Sequence, residues 1–286
     1  MHTVHKVSDL HTELAEWRRQ RETIALVPTM GNLHSGHLSL VERARQLGEC
    51  VVVSVFVNPL QFGPNEDFQR YPRTLEADSK LLREAGADLL FAPAVADVYP
   101  AGYPPVTTVR VGGELTSILD GHFRPGHFEG VATVVNILFN LVRPDVAVFG
   151  EKDWQQLQVI RRMVADLGMP LRIAGAQTLR DVDGLALSSR NQYLNAQERA
   201  LAPQLYAALT AIGEGIRAGR RDFTALCTEQ QAALESAGFH PQYLEVRAPD
   251  LAVPQADAGA FTVLAAAHLG KTRLIDNLQV RIDAPV

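Results

Sequence analysis

Cysteine is scarce in this chain: only Cys50 and Cys227 occur, each beside apolar neighbours. That argues against a disulfide framework and fits a reducing compartment. Long apolar runs are missing as well, and no stretch approaches the roughly 20 residues that a bilayer-spanning helix requires. The start, Met1 to Arg21, mixes His, Lys, Glu and Arg with scattered apolar residues and so lacks the continuous apolar segment of a secretory signal. Positive charge is not in surplus either: 27 Lys plus Arg stand against 32 Asp plus Glu. With no long basic run, a broad nucleic-acid surface is not expected, and any phosphate site must be local. No internal repeat or low-complexity segment is visible. The expectation is a cytoplasmic protein with neither membrane nor nucleic-acid partners.

What is present is a globular composition, 286 residues of which 47% are hydrophobic and 21% charged, enough for one large domain or two modest ones. From Ile24 the chain repeats a beat of apolar strand, polar loop and amphipathic helix. Strands are expected at Ile24 to Val27, at the β-branched run Val51 to Val57, at Ala87 to Ala92 and at Val146 to Phe149. Helices are expected around Leu38, Val41 and Ala44, and over Leu75 to Ala85, Val131 to Leu141 and Gln155 to Leu167. Tyr99 to Pro105 is proline-rich and irregular. This alternation predicts a doubly wound α/β fold with a parallel, Rossmann-like sheet.

Past Thr178 the beat changes. A long helix over Ala196 to Arg217 and a second near Phe223 to Ser236 precede strands around Tyr243, Phe261 to Ala267 and Arg273 to Val280, the order of a smaller α+β unit. The boundary falls within 178–190, giving a domain over 1–182 and a C-terminal one over 183–286.

Ligands in open parallel sheets sit beyond the carboxyl ends of the strands, so three post-strand loops carry the chemistry. The first, Pro28 to His37, reads PTMGNLHSGH and ends at a helix start. Gly31 and Gly36 permit close backbone approach, and the N–H groups and dipole of the helix start favour phosphate. His34 and His37, three apart, share a helical face and can donate to growing phosphoryl charge. The alternatives are capping or packed histidines, or a metal pair, for which no third ligand of matching spacing is present.

The second loop, Gly150-Glu151-Lys152-Asp153, offers a lysine as a point charge for phosphate oxygens, or else a solvated turn with an ordinary ion pair. The third, Gly184 to Asn191, contains Ser188-Ser189-Arg190: two hydroxyls and a fixed positive fork suited to a polyphosphate leaving group, or a polar helix cap. Its place at the expected boundary favours a mobile loop that closes over substrate. Asn58, Gln61, Gln155 and Gln156 are amides in apolar settings, able to orient a small polar substrate or simply to cap.

With these loops in hand, five strings in order, PTMGNLHSGH, VFVNPLQFGPNEDFQRYPRT, RPGHFEGV, FGEKDWQQ and DGLALSSRN, resemble the pantothenate synthetase family over nearly the whole chain. More distantly, the first and last look like the signature motifs of class I aminoacyl-tRNA synthetases and related nucleotidyltransferases. The family resemblance implies that ATP and (R)-pantoate form pantoyl-adenylate and pyrophosphate, and that β-alanine then attacks to give pantothenate and AMP. It implies an ATP site lined by Met30, Gly31, Asn32, Leu33, His34, Ser35, Gly36 and His37, with His37 as proton donor. Gly150, Glu151, Lys152, Asp153, the backbone at Leu179, and Leu187, Ser188, Ser189 and Arg190 would complete that site. Gln61 and Gln156 would hold pantoate, and Gln61 also β-alanine; Asn58, Arg124 and His127 match positions near the substrates. Asp78 matches a position associated with the Mg2+ that accompanies ATP, and a homodimer is implied. Ser35 stands where the family often has an acidic residue, and Trp154 where Phe or Tyr is usual.

Two further readings are distinguishable by experiment: a nucleotidyltransferase acting on a phosphorylated substrate, and a catalytically silent nucleotide-binding module. The intact His34, His37, Lys152 and Arg190 argue against the silent module, since binding alone does not need so many convergent donors.

Overall fold

The computed structural model describes residues 1–64, 66–102 and 106–282. The end of the expected proline-rich stretch, 103–105, lies outside the described residues. The chain divides into two compact units, Met1–Glu151 with Val159–Gln177, and Lys152–Gln158 with Thr178–Val286.

The first unit is built on six parallel strands: β1 (His2–Val4), β2 (Ile24–Thr29), β3 (Cys50–Val55), β4 (Leu89–Phe91), β5 (Val146–Gly150) and β6 (Arg172–Ala176). Their order is β1-β4-β3-β2-β5-β6. β3, CVVVSV, is stiff at χ1 and buried along nearly its whole length, as a central strand covered on both faces must be. The connecting helices are α1 (Val7–Gln20), α2 (Ser35–Arg45), α3 (Leu75–Glu84), the short α4 (Val95–Val98) and α5 (Asp120–Phe123), then α6 (His127–Val142) and, from Val159 on, α7 (Trp154–Asp166). On one side of the sheet, Val27, Val53, Leu90 and Val148 pack with Leu40, Val41 and Ala44 of α2 and Leu82 of α3.

The parallel sheet matches the expected doubly wound class, and the order has a consequence for function. After β2 the chain winds one way through β3 and β4, whereas β5 and β6 lie on the other side of β2. The order therefore reverses between β2 and β5, which pair through Ala25 with Val146. A crevice opens at the carboxyl ends of strands at such a switch point. The PTMGNLHSGH segment runs from the end of β2 through the loop Met30 to His34 into α2, and Glu151 follows β5 directly.

The second unit holds α8 (Ala196–Leu201), α9 (Gln204–Arg217), α10 (Phe223–Ser236) and an antiparallel sheet of β7 (Phe239–Arg247), β8 (Ala260–Leu269) and β9 (Thr272–Arg281) in that spatial order. Leu205, Leu209, Ile212 and Ile216 of α9 pack with Phe239, Phe261, Val263 and Leu274 of the sheet.

Several expected elements differ. The single helix over Ala196 to Arg217 is two, separated at Ala202 and Pro203; proline supplies no N–H, so the helical ladder is interrupted there. α6 starts at His127 rather than Val131, after Gly126 at φ 82°; the polar first turn hides this start from hydrophobic periodicity. The strand expected to reach Val57 ends at Val55, because Asn58 turns the chain into a 3-10 turn, Pro59–Gln61. β1, α1 and β6 were not anticipated. β1 is only three residues long, and the positions of β6 are mostly half-exposed, so neither shows a clear apolar pattern.

Candidate active site

Within the first unit, the loop after β2 is shaped by two residues in left-handed backbone, Gly31 at φ 82° and Asn32 at φ 52°. Such a turn needs something to hold it. The Asp78 carboxylate from the first turn of α3 accepts the N–H of Asn32 at 3.0 Å and of Leu33 at 2.8 Å, and the Thr74 hydroxyl at 3.1 Å. Asp78 is only 1% exposed. Its donor partners are those that stabilise a buried carboxylate, and Asp78 is thereby a strut for the loop that enters α2. Among the described residues no cluster of three or more His, Cys, Asp or Glu could hold a metal.

The strut delivers the two histidines to the mouth of α2. His34 is the N-cap and its Nδ1 accepts the Gly36 N–H at 3.1 Å; His37 Nδ1 faces the His34 N–H at 3.4 Å. The ring centroids lie 4.2 Å apart. The histidines are thus caps, as one alternative held, but capping uses Nδ1 alone. In a neutral imidazole whose Nδ1 accepts, the proton sits on Nε2, so the cap makes both rings Nε2–H donors. Met30, Ser35 and Gly36 complete this loop, and the first-turn amides of α2 add their share of the helix dipole.

Met30 also joins the loop to the amides. Gln61 Nε2 lies 3.1 Å from Met30 Sδ, while the Gln61 Oε1 accepts from Asn58 Nδ2 at 3.0 Å. The buried Asn58 donates further to the Gly130 carbonyl at 3.1 Å, and its Oδ1 accepts from Leu60 N–H and from the Tyr99 hydroxyl at 2.7 Å. α6 can approach this turn so closely only because residue 130 is glycine: a Cβ there would meet the Leu60 carbonyl oxygen at 2.3 Å. Arg124 donates through Nε and Nη2 to Glu66 at 2.7 and 2.8 Å and through Nη1 to His127 Nε2 at 2.9 Å, and His127 Nδ1 donates to the Gln61 carbonyl at 2.8 Å. The structure thereby brings Met30, Asn58, Gln61, Arg124 and His127 into one network, with both nitrogens of His127 committed inside the protein.

In the second unit, Lys152 lies in a 3-10 turn, Glu151–Asp153, that leads into α7. Its Nζ is 4.0 Å from the Asp153 carboxylate, too long for a hydrogen bond and a weak partner for an ammonium. Gln155 is buried and Gln156 half-buried on the first turn of α7, and Trp154 Nε1 donates to the Pro249 carbonyl at 2.9 Å. Leu187 N–H donates to the Leu179 carbonyl at 3.0 Å, closing the loop that ends in Ser188-Ser189-Arg190. Ser188 caps the 3-10 turn Ser189–Tyr193, its Oγ accepting the Arg190 N–H at 3.3 Å. The polar-cap alternative thus holds for Ser188. In the first unit, Glu151 lies against β6, where a Cβ on Gly175 would meet its Oε1 at 2.6 Å.

Residues 2–279 match the family model for pantoate-β-alanine ligase. The chain belongs to that family. A pantothenate synthetase of Pseudomonas entomophila (strain L48) is 55% identical over 284 residues, 99% of either chain. The crystal structure of a pantothenate synthetase from Thermus thermophilus superposes with a TM-score of 0.90 at 51% identity, covering 97% of this chain and 99% of that one. A pantoate-β-alanine ligase from Francisella tularensis, solved in complex with β-γ ATP and β-alanine, gives 0.81 at 34% identity over 97% of both chains.

For this ligase, the sequence left Glu66, Tyr99 and Gly130 without a role although all three touch the amide network. The strings that carry the resemblance include Glu66 and Gly130; what the strings lack is any sign of which side chains meet. Burial, and after it the Arg124 charge, pushes the His127 imidazole down to about 4. Its ordinary value in an unfolded chain is about 6.5. Between those values the unfolded chain binds a proton that the folded one refuses, so stability falls as pH drops from about 6.5 towards 4, by about 3 kcal/mol for this group. Urea midpoints at stepped pH on the protein and on His127→Asn check this: the substitution removes that part of the decline, and identical slopes for the two proteins would contradict it.

Proposed function

We propose that the chain carries out the ATP-dependent condensation of (R)-pantoate with β-alanine through the residues described above. In the first step a pantoate carboxylate oxygen attacks the α-phosphorus of ATP, the Pα–O–Pβ bond breaks, and pyrophosphate leaves. In the second the β-alanine amine attacks the activated carbonyl, a C–N bond forms, the acyl–O bond to AMP breaks, and the amine gives up a proton. Since the substrate carboxylate is the first nucleophile, the protein need supply none of its own. What it must supply is preorganised donors where charge grows.

The observation that carries the reading is the capped histidine pair at the mouth of α2, where Nδ1 acceptance turns Nε2 of both rings into donors. In this proposal His34 and His37 face the phosphates, with His37 as proton donor, and Met30 to His37 line the nucleotide. Lys152 and Arg190 take charge on departing pyrophosphate, with Gly150, Glu151, Asp153, Leu187, Ser188, Ser189 and the backbone at Leu179 also in the ATP site. Gln61 and Gln156 hold pantoate, and Gln61 then meets β-alanine. Asn58 sets the Gln61 amide; Arg124 and His127, whose polar atoms are engaged with Glu66 and the Gln61 backbone, hold that turn in place. Asp78 holds the loop backbone. Mg2+ enters with ATP, neutralising phosphate charge, near Asp78, the position that the resemblance associates with it. A lid role for 183–286, a homodimer and a cytoplasmic location belong to the same proposal; no helix among the described residues is long and apolar enough to cross a membrane.

The test is exchange of labelled pyrophosphate into ATP. Exchange that requires pantoate is expected. Exchange that instead requires a phosphorylated partner would make the chain a nucleotidyltransferase, and failure to form AMP and pantothenate with all three substrates and magnesium would make it a silent binding module.

A further inference from the structure

β9 carries two adjacent polar residues, Asp276 and Asn277, that the proposed chemistry does not use. Both are buried, at 5% and 6% exposure, opposite Ala265 and Leu264 of β8. Polar groups in such a setting destabilise a small sheet unless each finds a partner. The partners here lie on the two loops of the second unit assigned to ATP. Asn277 Nδ2 donates to the main-chain carbonyl of Lys152 at 2.9 Å, and Gln279 Nε2 donates to Asn277 Oδ1 at 3.3 Å, fixing which way the amide faces. Asp276 accepts Arg180 Nη1 at 2.5 Å and Nη2 at 2.9 Å, and its Oδ1 also takes the Asn277 N–H at 2.7 Å.

The Arg180 fork then spreads the constraint. It donates to the carbonyls of Gly184 at 3.1 Å and Asn277 at 3.2 Å, and its guanidinium carbon lies 3.5 Å from the centre of the Tyr206 ring. Arg180 bridges Ala186 across the narrow hairpin whose return strand ends in Leu187 and Ser188. A planar guanidinium with its donors committed this way is a rigid brace, which a lysine would not be.

We infer that Asp276 and Asn277, with Arg180, are positioning residues for adenylate formation: from β9 they hold the backbone of Lys152 and the hairpin that presents Ser188-Ser189-Arg190. They touch no reacting atom. β9 lies at the edge of its sheet but pairs with β8 along its whole length, and a paired strand moves less than the loops it holds. The inference rests on the reading of Lys152 as a pyrophosphate-binding group.

The test is a double-mutant cycle on pantoate-dependent pyrophosphate exchange, with Asn277→Ala, Lys152→Ala and the pair. Asn277→Ala is expected to lower the exchange rate about tenfold with the KM for pantoate close to the parent's, and to lower the melting temperature by a few degrees, since the Lys152 carbonyl and the Gln279 amide lose a partner. In the Lys152→Ala background it is expected to change nothing further, because the group it positions is gone. A parent-like rate for Asn277→Ala, or an equal loss in both backgrounds, would overturn the inference. A parent-like rate for Lys152→Ala alone would instead overturn the reading of Lys152. Should Asn277→Ala fail to fold, Arg180→Lys, which keeps the charge opposite Asp276 but loses the fork, takes its place with the same expected tenfold loss, cycled against Arg190→Ala, the residue its hairpin presents.

Discussion

Replacing His37 with alanine is expected to slow single-turnover formation of pantoyl-adenylate by roughly two orders of magnitude or more, the scale of losing one preorganised donor to transition-state charge. His37 is the third residue of α2 and its Nδ1 faces the His34 N–H. Alanine at that position keeps the helix and removes the ring's part in the cap, so stability is expected to fall by no more than about 1 kcal/mol. The large kinetic loss with a small stability loss is the signature of a group that acts on the reaction, and a single-turnover rate unchanged in His37→Ala would remove the histidine from that role.

Lys152→Ala is expected to be as severe, roughly two orders of magnitude in the same step. The side chain is 17% exposed, and the Asp153 carboxylate stands 4.0 Å from its Nζ. In the proposed reading this partly buried ammonium meets the charge of a departing pyrophosphate, which answers to it in sign and in chemistry. Lys152→Arg is not expected to restore the rate, because a planar fork replaces a point charge on a flexible stem. If Lys152→Ala forms adenylate at the parent rate, pyrophosphate stabilisation does not pass through this residue.

Along the chain, the loops proposed to bind ATP were visible because their signals are local. A β-branched run announces β3, an apolar run announces β5, and glycines with two histidines three apart follow β2. The histidines were half visible: N-cap and donor looked like competing roles, whereas the cap engages Nδ1 and the proposed donor role falls to the other nitrogen of the ring. For Asp78 the resemblance named a position associated with magnesium but not that its carboxylate holds the backbone of Asn32 and Leu33.

By itself the sequence determined the alternation of strand and helix, the loops that follow β2 and β5, and the chemical types available there, because each depends on neighbours a few positions apart. Tertiary structure alone decided which polar groups meet. Asp78 and Leu33 lie 45 positions apart, Asn277 and Lys152 125, and no periodicity links such pairs. The depressed titration of His127 is likewise a property of what packs around the ring. Burial makes an unpaired polar group costly, and only the folded chain brings its partner within 3 Å.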